Sequence, residues 1–333
     1  MIKREILLNS QNIAVVRTDK LGDIVLTLPL CNAIKQNIPN AKLTVIANSY
    51  TEPILKKIPI IDNIIFVDKY NNGIRQIFQD YQFDAIFFPR PRFEEAFAGF
   101  LSNAKLRIGS GYRLYSFFFN FKIWEHRKKG TKHEAEYNVG LLENILDKKI
   151  QVTFPEIIIP EEIKNKIEKK LTDLNINKKY VIIHPGSGGS SYDWSPANFG
   201  KLSEKIIIKY DIDVLITGVK YEKEICEKVL RYSNFKARNV CGLFTLDEMI
   251  ALLKNTKLLV TNSTGVLHIA SMFNVPIIGL YPNTSHLSKR RWGPLNNKSL
   301  VITPKFKDNK DKDNMDLISV EDVLKATEKV IEL

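Results

Sequence analysis

Cysteine is scarce: the 333 residues hold only Cys31, Cys226 and Cys241. The three lie far apart, and no CxxC or Cys/His ligand spacing accompanies them, so neither a disulfide framework nor a zinc site is expected. A reducing cytoplasm suits such a chain. Long apolar runs are missing too, because no window reaches the ~18 consecutive apolar residues of a membrane span. The opening MIKREILLNSQNIAVVR meets Arg17 and Asp19 too soon for a secretory leader. Glycine is sparse where nucleotide signatures need it. The first strand-to-helix turn holds Gly22 alone, which excludes GxGxxG and Walker sequences.

What is present is an ordinary globular balance, 44% hydrophobic and 26% charged, at a length suited to about two domains. Forty-nine Lys and Arg against thirty-seven Asp and Glu leave a net charge of +12. Such a surplus favours polyanionic partners: nucleic acid, anionic lipid or phosphorylated substrates.

Short β-branched runs alternate with amphipathic stretches. Ile13–Val16, Leu43–Ala47, Asn63–Val67 and Ala85–Phe88 read as buried strands, with a helix at Leu28–Asn37. The rhythm restarts with strands at Tyr180–His184, Val214–Thr217, Leu258–Thr261 and Pro276–Tyr281. Helical patterns at Ala197–Tyr210, Glu222–Tyr232 and Leu246–Lys254 separate them, and Ser319 opens a last helix over Val320–Ile331. Continuous apolar strands separated by helices predict parallel sheets covered on both faces. The fold class is therefore α/β, with two Rossmann-like doubly wound domains, residues 1–155 and 156–333. Ligands are expected in a central cleft between the carboxyl ends of the two sheets.

Three loops suit anions. Arg17-Thr18-Asp19-Lys20-Leu21-Gly22-Asp23 follows the first strand, where Asp23 reads equally as a helix cap. His184-Pro185-Gly186-Ser187-Gly188-Gly189-Ser190-Ser191 is a flexible loop through which backbone can approach phosphate. In Thr261-Asn262-Ser263-Thr264-Gly265-Val266-Leu267-His268, Ser263 and Thr264 suit an N-cap, and His268 stands one turn further in. Together the three point to a nucleotide-linked substrate.

The motif VRTDKLGDIVLTLP, with Pro39 and Ala41 downstream, resembles the opening of the bacterial heptosyltransferase family of glycosyltransferases (glycosyltransferase family 9). Matching features follow in order: KHEAEYN (Lys132–Asn138), VIIHPGSG…W (Val181–Trp194), TGVKYEKE (Thr217–Glu224), NSTGVLHIAS (Asn262–Ser271) and LYPNTSHLSKRRWGP (Leu280–Pro294). The resemblance implies a GT-B fold and inverting transfer of a sugar, typically heptose from ADP-heptose, to a lipopolysaccharide core acceptor. It implies no metal and no cofactor.

By the same resemblance Asp23 is the general base. Ser187, Gly188, Tyr192, Gly218, Glu222, Ser263, Thr264, Gly265 and His268 make up the donor side, with Glu222 on the ribose and the Ser263–His268 turn on the diphosphate. Arg17, Lys20, Arg90, Arg113, Lys132 and His133 are expected toward the acceptor. Two positions depart from the pattern: Tyr192 stands where relatives carry a lysine, and Ser263 where they carry an aspartate. Lys289, Arg290 or Arg291 is the expected substitute cation. Lys20 and the helix N-terminus are expected to keep Asp23 ionised.

Cations and aromatic residues interleave through Arg107–His133, including Arg127, Lys128 and Lys129. That pattern fits a lipid-linked anionic saccharide and peripheral contact with the cytoplasmic face of the inner membrane. It fits equally a core helix with a solvated basic face. The rival functions are a GT-B nucleotide-sugar epimerase or hydrolase and a basic nucleic-acid-binding protein; no nucleic-acid motif supports the latter.

Overall fold

The computed structural model describes residues 2–176 and 179–331. The side chain of Lys128 lies outside the described residues. The chain forms two compact units, Met1–Ile158 and Ile159–Leu333.

The first unit is built on six strands, β1 (Asn12–Val16), β2 (Lys42–Ala47), β3 (Asn63–Phe66), β4 (Ala85–Phe87), β5 (Leu106–Ser110) and β6 (Phe121–Ile123). They form one parallel sheet in the order β3-β2-β1-β4-β5-β6. Ile13 to Val16 are all buried, as expected of a strand covered on both faces. Helices Leu28–Asn37, Phe93–Leu101 and Glu134–Leu146 are among the cover. Part of the core is aromatic, with Phe88 lying 6.4 Å from Phe78 and 5.3 Å from Phe119 between ring centroids.

The second unit repeats the plan with β7 (Tyr180–His184), β8 (Asp213–Ile216), β9 (Arg238–Asn239), β10 (Leu258–Asn262), β11 (Ile277–Leu280) and β12 (Leu300–Ile302). Its sheet is parallel, in the order β12-β11-β10-β7-β8-β9. Trp194 and Phe199 pack edge to face at 4.9 Å in its core. Ser319 caps the last helix, Val320–Val330, by accepting from the Asp322 N–H.

Each sheet reverses its winding once, between β1 and β4 in the first unit and between β7 and β10 in the second. Loops leaving such a pair diverge, and the crevice outside their carboxyl ends is where doubly wound sheets bind ligands.

Four strands were not anticipated, and two of them correct the helical alternative for the basic-aromatic segment. Its residues form β5, a short turn and β6 at the sheet edge. Glycine explains why. A Cβ on Gly109 would lie 2.8 Å from the Phe119 ring, and one on Gly111 2.7 Å from Trp124. The aromatics therefore lie across neighbouring glycines instead of repeating down one helix face.

Candidate functional site

Both switch points carry chemistry-bearing side chains. In the first unit β1 runs into Arg17, buried to 1% exposure, and then into the short helix Leu21–Val25. Arg17 Nε donates to Asp19 Oδ1 at 2.6 Å and Nη2 donates to Asp23 Oδ1, while Nη1 lies 3.7 Å from Glu134. Asp23 sits in the first turn of the short helix. Burial pushes its carboxyl above the usual range; Arg17 opposes this, and the Asp19 and Glu134 charges add to it. The sequence expectation is corrected here. Arg17 is a cation on Asp23, burial outweighs it, and the net effect raises the proton affinity of the carboxyl.

The loop after β4 faces this one across the switch. Thr18 donates its hydroxyl to buried Glu95, whose other oxygen accepts from the Arg92 N–H at 2.9 Å. Arg90 reaches back to Asp19 Oδ2 at 2.7 Å while remaining half-exposed. Helix Glu134–Leu146 closes the base of the site. Arg127 Nη1 donates to Glu134 at 2.6 Å and to Asn138 Oδ1 at 2.9 Å, and Asn138 Nδ2 donates to the Leu26 carbonyl at 2.9 Å. Leu26 ends the Asp23 helix, so Arg127 and Asn138 hold that helix from below.

Several residues expected toward the acceptor have partners within the protein. Arg17 is enclosed by three carboxylates. His133 is buried and caps Glu134–Leu146, its Nδ1 accepting from the Ala135 N–H at 3.2 Å. Lys132 pairs with Glu125 at 2.5 Å, and Arg127 anchors helix 134–146 instead of facing solvent. Arg90, Arg113 and Lys20 are exposed. Glu95, Glu134 and Asn138 had not been singled out. The signal for Glu134 and Asn138 lay inside the KHEAEYN motif itself.

In the second unit β7 ends at His184, where burial pushes the imidazole down to about 4 and Thr217 Oγ1 lies 3.0 Å from Nδ1. The loop then turns through Gly188 and Gly189, both at positive φ, which glycine adopts without strain. Ser187 is buried and donates to the Ser191 carbonyl at 3.2 Å, whereas Tyr192 is half-exposed. Asn262, at the end of β10, crosses the switch. Its Nδ2 donates to the Pro185 carbonyl at 2.6 Å and to Asp193 Oδ1 at 3.2 Å, and its Oδ1 accepts from the Trp194 N–H. Asn262 was quoted within its motif without being assigned a role, and Asp193 was missed altogether.

Glu222 lies between two glycines. A Cβ on Gly186 would meet its Oε1 at 2.0 Å, and one on Gly218 its Oε2 at 3.2 Å. Oε2 also accepts from the Val219 N–H at 2.9 Å. Thr264 is the N-cap of Gly265–Met272, but its side chain makes no capping bond. Ser263 bonds instead to the buried Tyr281 hydroxyl, which also donates to the Trp292 carbonyl at 2.5 Å. Trp292 approaches His268 at 6.5 Å, and the Arg291 guanidinium stacks over Trp292 at 4.7 Å. The basic loop thus comes back beside the helix start that Ser263 and Thr264 introduce.

Among the described residues no cluster of three or more His, Cys, Asp or Glu could hold a metal ion, and no helix is long and apolar enough to cross a membrane.

Two doubly wound α/β units, each with polar loops at its switch point, are the architecture of the GT-B class. Residues 74–319 match Glycosyltransferase family 9 (heptosyltransferase), and the chain belongs to that family. A Haemophilus influenzae protein provisionally named a glycosyltransferase is 28% identical, covering 94% of this chain and 95% of its own length. Among solved structures, a family 9 glycosyl transferase from Veillonella parvula superposes with TM-score 0.85 at 21% identity, covering 96% of this chain and 97% of that one. The ADP-heptose LPS heptosyltransferase II of E. coli gives 0.81 at 19% identity, covering 96% and 98%. The α/β, GT-B expectation is met, and so is the expectation of a family 9 glycosyltransferase.

Proposed function

We propose that this enzyme transfers heptose from ADP-heptose, with inversion, to a lipopolysaccharide core saccharide at the cytoplasmic face of the inner membrane. The first unit binds acceptor and the second binds donor. The observation that carries the reading is the Asp23 carboxylate, held through one oxygen by Arg17 at the switch point of the first sheet. Oδ2 is left to take the proton of an acceptor hydroxyl as that oxygen bonds to the anomeric carbon. The bond from that carbon to the diphosphate breaks, and its electron pair leaves with the nucleotide. A carboxyl with raised proton affinity is a better base than an ordinary surface aspartate.

The leaving group is served by the second unit. The Thr264 N–H region has no side-chain cap and so is free to face an anion, as helix N-termini do. Arg291, stacked beside it on Trp292, supplies the positive charge that Tyr192 lacks. Glu222, fixed between Gly186 and Gly218, presents a carboxylate to the ribose hydroxyls. Exposed Arg90 and Arg113, with Lys20, suit an anionic acceptor, and no nucleic acid is required as partner. The name of the E. coli neighbour, an ADP-heptose LPS heptosyltransferase, supports the donor and the acceptor class.

The test is product analysis with ADP-heptose and a core saccharide, against GDP- and UDP-sugars, with the anomeric configuration read by NMR. Transfer with inversion is expected. Turnover of the nucleotide sugar in the absence of acceptor, at the rate seen in its presence, would instead make the enzyme a hydrolase or epimerase.

A further inference from the structure

Six large apolar side chains stand in water on one side of the first unit. Helix Phe93–Leu101 contributes Phe93, Phe97, Phe100 and Leu101, exposed to 55, 36, 47 and 51%, and the turn after β5 contributes Leu114 at 99% and Phe117 at 65%. Steps of four and three residues put the phenylalanines on one helix face. Buried Phe118 joins them from below, its ring centroid 5.9, 5.4 and 5.2 Å from Phe93, Phe97 and Phe100 and 4.3 Å from Phe117. This is a continuous patch, and a continuous apolar patch on a surface marks an interaction site.

Charge selects the occupant. Between Phe88 and His133 the chain carries ten Lys and Arg against three Glu; Arg127 is withdrawn to Glu134, Arg90, Lys105 and Lys132 pair with carboxylates, and Arg92, Arg113, Lys122 and Lys129 are exposed. The Arg107 guanidinium lies 5.7 Å above the Phe100 ring, and exposed Arg92 starts the helix. A second copy of the chain would bring this positive surface against itself. An anionic bilayer offers what both components need, acyl chains for the rings and headgroups for the cations.

We propose that the Phe93–Leu101 face and the Leu114–Phe117 turn dock onto an anionic phospholipid bilayer. The placement rests on the reading that the acceptor is lipid-linked. The bond from Thr18 to Glu95 ties the first turn of this helix to the loop that carries Asp23. An acceptor anchored in the same leaflet would then extend its saccharide toward the sheet edge where the base stands.

The full-length protein is tested by co-sedimentation with phosphatidylglycerol/phosphatidylethanolamine vesicles and with phosphatidylcholine vesicles. Binding is expected to the anionic vesicles alone and to weaken with salt. The triple variant Phe93→Ser, Phe97→Ser, Phe117→Ser should lose about tenfold in vesicle affinity or more. Its melting temperature should hold, because all three side chains are exposed. As a check independent of that variant, Phe97→Trp should gain fluorescence over the parent that brominated lipid quenches. A parent that stays in the supernatant, a triple variant that binds like the parent, or a parental dimer that the triple variant dissolves would each overturn the proposal.

Transfer to a lipid-free core saccharide separates this proposal from the functional reading. Parent and triple variant should be equal there. Vesicle binding without any transfer would leave the docking face standing and remove the proposed reaction; transfer without vesicle binding would do the reverse.

Discussion

Arg127 donates to Glu134 over 2.6 Å, and both are withdrawn from the basic surface to which the sequence assigned Arg127. Glu134 has a second neighbour in Arg17, 3.7 Å away, so one buried carboxylate lies between two guanidinium groups, the farther of which holds Asp23. The charge of Glu134 raises the proton affinity of Asp23, directly and by engaging Arg17. Glu134→Gln removes that charge while keeping the shape. The acid limb of the kcat profile should move to lower pH, because a base whose pKa falls stays ionised further into acid. A pH profile of turnover at saturating substrates checks this, and an unmoved limb would detach Glu134 from the base.

Arg127→Gln should behave differently from neutralisation at an exposed cation. Removing one partner of a buried ion pair typically costs about 3–5 kcal/mol, and part exposure of Arg127 places this variant at the lower end. Its melting temperature should drop. Arg113→Gln should leave melting unchanged and raise the acceptor KM, with a salt dependence weaker than that of the parent. Thermal melts beside acceptor titrations at two ionic strengths distinguish the two.

Asp23→Asn should lower kcat by about 10²–10⁴-fold, the usual contribution of a general base. The change also leaves Arg17 with one carboxylate fewer, so melting temperature is read alongside turnover. Donor affinity, measured by calorimetry, should remain near the parental value. Parental turnover would return Asp23 to the plain role of a residue in a helix first turn.

Gly186→Ala probes the donor side without replacing an ionisable group. The new methyl would lie 2.0 Å from Glu222 Oε1, so the carboxylate must move. Donor KM should rise several-fold with little change in acceptor KM, and Glu222→Ala should share the effect. The two changes together should be far from additive, since both act through one side chain.

His184 makes stability depend on pH in a defined window. Burial lowers its pKa from 6.5 to about 4, so the unfolded chain binds the proton more readily than the folded one. The contribution is complete above about 6.5 and is lost as pH falls toward 4. His184→Gln, which can still reach Thr217, should flatten the fall in melting temperature across that window.

The strands that continue an apolar run were legible without coordinates. β7, with all five residues buried, is bounded by Tyr180 and His184 as the β-branched run suggested. β6, β9 and β12 were not, because edge strands are short and half-covered: Arg238–Asn239 has two residues and no apolar side chain. β5 was not, because Arg107, Gly109 and Ser110 interrupt its apolar run. The motif loops were equally legible, since Asp23, Glu222 and Ser263 each lie in the first turn of chain beyond a strand's carboxyl end. Which cations serve the surface was not. Arg17, Arg127 and Arg113 are the same residue type, and only the carboxylates brought from Glu134–Leu146 and the Asp19 turn separate the buried forks from the exposed one. Periodicity holds no record of such long-range pairing.

Ser263 and Tyr192 have a wider consequence. Both departures from the family pattern fall on loops above fully buried strands, and Ser263 has found its own bond to Tyr281. A change of side chain there leaves the sheet beneath it undisturbed. A serine in place of an aspartate, or a tyrosine in place of a lysine, is therefore accommodated at the rim of the sheet without a compensating change in the core, so the chemistry of these loops can vary while the fold beneath them stays fixed.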